Sequence, residues 1–246
     1  MKIKSIFLIL IMMSCKNTSK PLVFGHRGAK GHIAENTLSS IQKAIELGVD
    51  GIEVDVFRCG SGELVVFHDR SVEKLTNGIG FIEQMSLNSI KKLNVLDQGK
   101  IPTLNEVLDL IDGQVILNIE LKGSNTSFLT HQLLNSYFKS SNWKPEKIII
   151  SSFDWDELRA FYQLNKEIKI AILTEDDPVD AIPIAKELNA FSINPNHILL
   201  TKLNAAKIKS ENISIYPWTV NEILDINKMK KIGVDGIITD YPEKVN

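Results

Sequence analysis

Short apolar runs alternate with longer amphipathic stretches along most of this chain. The runs at 22–25, 51–57, 115–121, 147–151, 168–173, 190–193, 213–217 and 236–238 have the length and residue types of strands. Between them, segments near 36–47, 103–111, 126–139, 155–164, 179–188, 200–209 and 221–231 predict helices. Asn36, Thr103, Asp154 and Asn221 stand where a cap or first-turn residue is expected, and Gly48 and Gly233 follow helices as C-terminal glycines do. Eight strands alternating with helices over about 220 residues predict an α/β fold of the TIM (β/α)8 type. A doubly wound open sheet competes with it, but the chain has no glycine fingerprint for a dinucleotide. One long interruption, 58–100, reads as a small insertion after the second strand, with 63–68 as one arm of a hairpin.

Side chains alternate faces along a strand, so the same runs place their polar residues. In Gly51-Ile52-Glu53-Val54-Asp55-Val56-Phe57, the set Ile52, Val54 and Val56 faces the surrounding helices, which turns Glu53 and Asp55 toward the barrel axis. In Asn118-Ile119-Glu120-Leu121-Lys122, the same parity sends Glu120 and Lys122 inward. Three carboxylates therefore converge near the ends of two strands. Two like charges about 4 Å apart repel by roughly 4 kcal/mol at an effective dielectric near 20, so the group calls for a cation. Hard oxygen donors point to Mg²⁺ or Ca²⁺. Internal ion pairs with Arg27 and Lys122 are the alternative.

His26-Arg27-Gly28 ends the first strand, where barrel enzymes build their sites, and His68-Asp69 follows the apolar run 64–67. Two histidines beside carboxylates and two cations suggest acid–base work on a phosphate. Phe153 and Trp218 also stand at strand ends, where they either pack in the core or border an alcohol group. His197 lies in a loop that is a candidate for lining the mouth, whereas His32 and His131 have no comparable context.

The first residues follow another pattern. Met1-Lys2-Ile3-Lys4 precedes an apolar run, Ser5 to Met13, too short to span a membrane but suited to a signal peptide. It ends at Met12-Met13-Ser14-Cys15, which resembles a bacterial lipobox, although Met12 stands where Leu is usual. The expected organisation is a signal peptide at 1–14, a lipidated Cys15 with a polar tether to Lys20, and a barrel from 21 to 246. This places the protein in the cell envelope, outside the cytoplasm and held to a membrane by its lipid. Only Cys15 and Cys59 exist, so an acylated Cys15 excludes an internal disulfide. A net charge of −2 supplies no basic surface for nucleic acid. The hydrophobic fraction of 43% is that of an ordinary globular core.

Taken in order, several of these pieces resemble the glycerophosphodiester phosphodiesterases. They are Phe24-Gly25-His26-Arg27-Gly28, Glu35-Asn36-Thr37, Gly51 to Val56, Val66-Phe67-His68-Asp69 and Thr76-Asn77-Gly78-Ile79-Gly80. They continue through Ile101-Pro102-Thr103-Leu104, Ile119-Glu120-Leu121-Lys122, Ser151-Ser152-Phe153, Trp218-Thr219-Val220-Asn221 and Gly233 to Asp240. The resemblance implies a TIM barrel with an insertion after the second strand. It implies one divalent cation on Glu53, Asp55 and Glu120, and His26 and His68 as the acid–base pair. Arg27 and Lys122 would hold phosphate, and Phe153 and Trp218 the glycerol end. Ala34 replaces a usual Pro, and Lys74-Leu75 a usual Arg-Thr. The implied reaction is hydrolysis of a glycerophosphodiester to glycerol 3-phosphate and an alcohol. Two rivals are a related-barrel phosphodiesterase for lysophospholipid or sphingomyelin-like head groups, and a non-catalytic surface protein that binds phosphodiesters. The second should have lost a histidine or carboxylate, and none is missing.

Overall fold

The computed structural model describes residues 20–246, so the expected signal segment and Cys15 lie outside the described residues. In chain order the elements are β1 (Leu22–His26), α1 (Leu38–Glu46), β2 (Gly51–Arg58), β3 (Leu64–Val66), α2 (Leu87–Ile90), α3 (Leu104–Ile111) and β4 (Ile116–Leu121). They continue with α4 (Thr126–Ser140), β5 (Ile148–Ser152), α5 (Trp155–Leu164), β6 (Lys169–Thr174), α6 (Ile182–Glu187) and β7 (Ser192–Pro195). The last are α7 (Lys202–Ser210), β8 (Ser214–Ile215), α8 (Ile223–Ile232) and β9 (Gly236–Thr239).

Eight strands pair in parallel in the order β8-β7-β6-β5-β4-β2-β1-β9, and β3 lies antiparallel on β2. The open edge between β8 and β9 is closed by three backbone bonds rather than a ladder: Asp235 N to Ile215 O, Ile238 N to Pro217 O and Val220 N to Ile238 O, each 3.0 Å. The result is the nearly closed parallel barrel that the alternation of strands and helices predicts.

Parity divides its apolar side chains as expected. Ile52, Val54, Val56, Ile119 and Leu121 are buried with Ile41, Leu104, Leu158 and Phe161 of the surrounding helices. Inside the barrel a separate cluster of Phe24, Ile149, Ala171, Tyr216 and Ile238 fills the axis, with Phe24 and Tyr216 edge to face at 5.5 Å. Gly51 and Gly236 make room for these two rings, since a Cβ at either would collide with one. Polar side chains on the same inward parity therefore stand above an apolar plug.

Capping explains the helix starts. The Thr103 hydroxyl accepts from Glu106 N and the Glu106 carboxylate accepts from Thr103 N, a capping box that starts α3. Asp154 caps α5 in the expected way. Asn36 and Asn221 do not cap. Thr37 caps α1, Glu222 precedes α8 without a side-chain bond, and both asparagine amides are bonded to distant carboxylates instead. Gly48 and Gly233 take the positive φ expected after a helix. The segment expected as one helix at 179–188 divides into a 3-10 turn, Pro178–Ala181, and α6, because Pro178 and Pro183 are each tolerated only in a first turn.

Segment 58–100 leaves the barrel after β2, turns back along it as β3, and rejoins the barrel through the loop into α3. Val65 and Phe67 turn toward a second apolar cluster that includes Phe57, Val72, Ile82, Ile90, Val95 and Ile101. Leu64 and Val66, of the opposite parity, join the barrel's own core. The hairpin thus belongs to both bodies, and His68 follows directly from it.

Candidate active site

A cleft of about 500 Å³ opens at the C-terminal ends of the strands. His26, Arg27, Glu53, His68, Asn118, Glu120, Lys122, Phe153 and Trp218 line it, and Asp55 is buried beside Glu53 and Glu120 against Arg27 and Lys122. All nine predicted barrel site residues are brought together. His197 is not: its backbone and Nδ1 meet Trp218 O, and its Nε2 lies 3.7 Å from Asp225.

Register explains the convergence. Asp55 pairs with Glu120 and Glu53 with Asn118 across β2 and β4, while His26 pairs with Glu53 across β1 and β2. One oxygen each from Glu53, Asp55 and Glu120 lies within 4.8 Å of the others. Burial first, then the charges of Asp55 and Glu120, pushes the Glu53 carboxyl well above the usual carboxylate range. Burial first, then Asp55, pushes Glu120 up to about 7 against the pull of Lys122.

The ion pairs proposed as an alternative are present. Arg27 Nε lies 3.3 Å from Asp55, and Lys122 Nζ lies 3.0 Å from Glu120 and 3.9 Å from Asp55. They do not complete the cluster, because Glu53 Oε1 is buried with no hydrogen-bond partner among the described residues. An uncompensated buried carboxylate oxygen costs at least about 1–3 kcal/mol, on the order of a lost charged hydrogen bond. Three oxygen donors, among them Glu53 Oε1 and Glu120 Oε1 with no hydrogen-bond partner among the described residues, fit a divalent cation, and the acidic triad has the donor chemistry to hold one.

Arg27 has a positive φ of 52°, uncommon for a side chain of its size. That turn aims its backbone N–H at Glu53 Oε2 (2.9 Å) and its guanidinium at Glu35 (2.6 Å). Gly28 allows it: its φ is +86°, and a Cβ there would strike Ser40. Lys122 Nζ lies 3.2 Å from His68 Nε2 and 5.8 Å from the centre of the Phe153 ring. Phe153 meets Trp218 edge to face at 5.4 Å, and the Trp218 indole N–H donates to Asn194 O.

Each histidine has a carboxylate at Nδ1, Asp240 for His26 and Asp69 for His68, both at 2.6 Å. The neutral tautomer with a proton on Nδ1 therefore presents Nε2 to the cleft. Burial lowers the pKa of both imidazoles, opposed for His26 by its bond to Asp240 and for His68 first by the charge of Asp55. A neutral imidazole is the form able to accept a proton.

Sequence reasoning missed the partners. Asn36 donates to Asp55 at 2.8 Å, Glu35 binds Arg27, and Asp69 and Asp240 hold the histidines. Two local signals are available: Asp69 directly follows His68, and Asp240 directly follows the last barrel strand as His26 ends the first.

The sequence model of the glycerophosphoryl diester phosphodiesterase family matches residues 26–244. The chain is 37% identical over 234 residues to the glycerophosphodiester phosphodiesterase of Caldanaerobacter subterraneus subsp. tengcongensis, covering 91% of this chain and 96% of that protein. It is 30% identical over 254 residues to the enzyme of that name from Bacillus subtilis, covering 90% and 84%. Its fold matches an Oleispira antarctica phosphodiesterase solved in complex with the product sn-glycerol-3-phosphate, with a TM-score of 0.82, 28% identity, and 92% and 95% coverage. A glycerophosphodiester phosphodiesterase from Thermotoga maritima matches with a TM-score of 0.74, 28% identity, and 91% and 96% coverage.

Proposed function

This chain belongs to the glycerophosphoryl diester phosphodiesterase family of enzymes, and on that premise we propose that it hydrolyses glycerophosphodiesters to sn-glycerol 3-phosphate and a free alcohol, using His26 and His68 as its proton-transfer pair. The observation that carries this reading is the pair of imidazoles, each braced at Nδ1 by a carboxylate, flanking one carboxylate triad in one cleft. The product held by the Oleispira protein supports the same substrate class.

Glu53, Asp55 and Glu120 would hold Ca²⁺ or Mg²⁺, which supplies a Lewis acid for the phosphoryl group. Arg27 and Lys122 grip the phosphate, their charges oriented beforehand by Glu35, Asp55 and Glu120. One imidazole takes a proton from the attacking hydroxyl. The other, entering the cycle as the imidazolium, gives its Nε2 proton to the alcohol oxygen as its bond to phosphorus breaks. One water is consumed overall, either as the attacking hydroxyl itself or in opening the cyclic phosphate that attack by the neighbouring glycerol hydroxyl would form. Phe153 and Trp218 cover the glycerol end, excluding water from one side of the reacting group.

Purified protein incubated with a panel of glycerophosphodiesters should release sn-glycerol 3-phosphate with Ca²⁺ or Mg²⁺ present. Release of the alcohol's phosphate ester instead would overturn the assignment of the scissile bond. The apolar side chains exposed beyond the strand ends, Ile198 in the turn after β7 and Ile223 and Leu224 in the first turn of α8, favour a second reading in which the substrate carries an acyl chain. Faster turnover of lysophospholipids than of their deacylated counterparts in the same panel would select it.

The envelope location belongs to this proposal. No helix among the described residues is long and apolar enough to cross a membrane. The anchor is read from the lipobox-like Met12-Met13-Ser14-Cys15 alone. A lipoprotein cysteine carries several acyl chains, enough for stable anchoring. Cys15→Ser should move the protein from the membrane to the soluble fraction with its turnover of soluble glycerophosphodiesters unchanged. A mature N-terminus found by mass spectrometry to be unmodified and elsewhere than Cys15 would remove the anchor and leave the enzymatic reading in place.

A further inference from the structure

The two carboxylates behind the histidines are not held alike. Asp69 leans on the exposed ammonium of Lys74 at 3.7 Å, outside the barrel. Asp240 has both oxygens engaged: Oδ1 with His26 Nδ1 at 2.6 Å, and Oδ2 accepting from the Asn221 amide nitrogen at 2.8 Å. The orientation of that amide is itself determined, because Asn221 Oδ1 accepts from Asp240 N at 2.9 Å and from the Thr239 hydroxyl at 3.2 Å. These residues close the barrel beside the seam between β8 and β9, where no strand ladder fixes the backbone.

We propose that Asn221 and Asp240 act as a positioning pair that fixes the tautomer and direction of His26, so that its Nε2 alone meets the substrate. A charged acceptor at Nδ1 favours the Nδ1–H tautomer by roughly one to two orders of magnitude. Asn221 adds direction. Its amide nitrogen requires an oxygen from residue 240, which leaves the other oxygen of Asp240 for the imidazole. The inference rests on His26 taking part in proton transfer.

Asp240→Asn tests it. With its oxygen bound to Asn221, the introduced amide turns its NH₂ toward His26 Nδ1 and demands the opposite tautomer. In the Mg²⁺-loaded enzyme, kcat should fall about 10- to 100-fold, the range usual for such supporting partners. KM, Mg²⁺ affinity and Tm should stay close to those of the parent. The ¹⁵N shifts of His26 should report a proton on Nε2 instead of Nδ1. Adding Asn221→Asp reverses the polarity of the pair. The carboxylate introduced at position 221 then accepts from the amide at position 240, whose oxygen again faces His26. The double variant should recover most of the lost kcat and the parental ¹⁵N pattern. A kcat for Asp240→Asn within about twofold of the parent, a loss that follows Tm or Mg²⁺ affinity, or a double variant no better than the single one would each overturn the pairing. His26→Ala separates the two readings. If it stays active, the acid–base assignment fails. If it is inactive while Asp240→Asn turns over normally, only the positioning role fails.

Discussion

Replacing His26 or His68 with Ala should lower kcat by about two to four orders of magnitude, the range that a positioned acid or base contributes. The fold should survive, because neither ring belongs to an apolar cluster and the plug of Phe24, Tyr216 and Ile238 lies below them. The two losses should differ with the leaving alcohol. A nitrophenolate leaves without a proton, so the variant lacking the acid should be largely restored on a nitrophenyl ester, and the variant lacking the base should not. Comparing kcat on a glycerol ester and a nitrophenyl ester would therefore identify the acid. Near-normal turnover of the poor leaving group by both variants would end the acid–base assignment.

Chelation should abolish turnover, and added Ca²⁺ or Mg²⁺ should restore it. Glu53→Gln should raise the metal concentration needed for half-maximal activity by about tenfold or more, a loss of roughly 1.4 kcal/mol or more in metal binding. The sign of a second effect is opposite. Without metal, Glu53 faces Asp55 and Glu120 in a buried site that already pushes its carboxyl toward neutrality. Removing that charge should leave the metal-free protein at least as stable as its parent, read as Tm in excess chelator. Full activity in protein found metal-free by elemental analysis would contradict the metal's role.

Much of this site is legible in the chain because its main residues follow strand parity. Glu53, Asp55 and Glu120 alternate with isoleucine, valine and leucine, so the pattern that buries the apolar set also aims the carboxylates. Asp69, adjacent to His68, is the one partner whose contact is local in the chain; Asp240, Asn221 and Asn36 escape such reading because theirs are not. Asp240 reaches His26 across 214 residues, and Asn221 and Asp240 are 19 apart. Asn36 and Asn221 stand just where helix-start rules expect a cap. Those rules weigh only the neighbouring backbone, whereas each amide found a carboxylate nearby in space. Strand edges shifted for a similar reason: β7 and β8 are bounded by pairing with their neighbours, not by the ends of their apolar runs.

The insertion and the barrel keep separate apolar cores, joined by the hairpin of β2 and β3. His26 stands on the barrel, whereas His68 stands where the insertion begins. The distance between proton donor and proton acceptor is therefore set by how the hairpin seats the insertion's core against the barrel's. A small change in the packing of the insertion's core would change that distance. Side chains such as Ile82, Ile90 and Val95, which touch no substrate, become adjusting screws for the reaction coordinate. Sequence change confined to that small core can retune the width of the site for a larger or smaller phosphodiester without altering any residue that performs the chemistry.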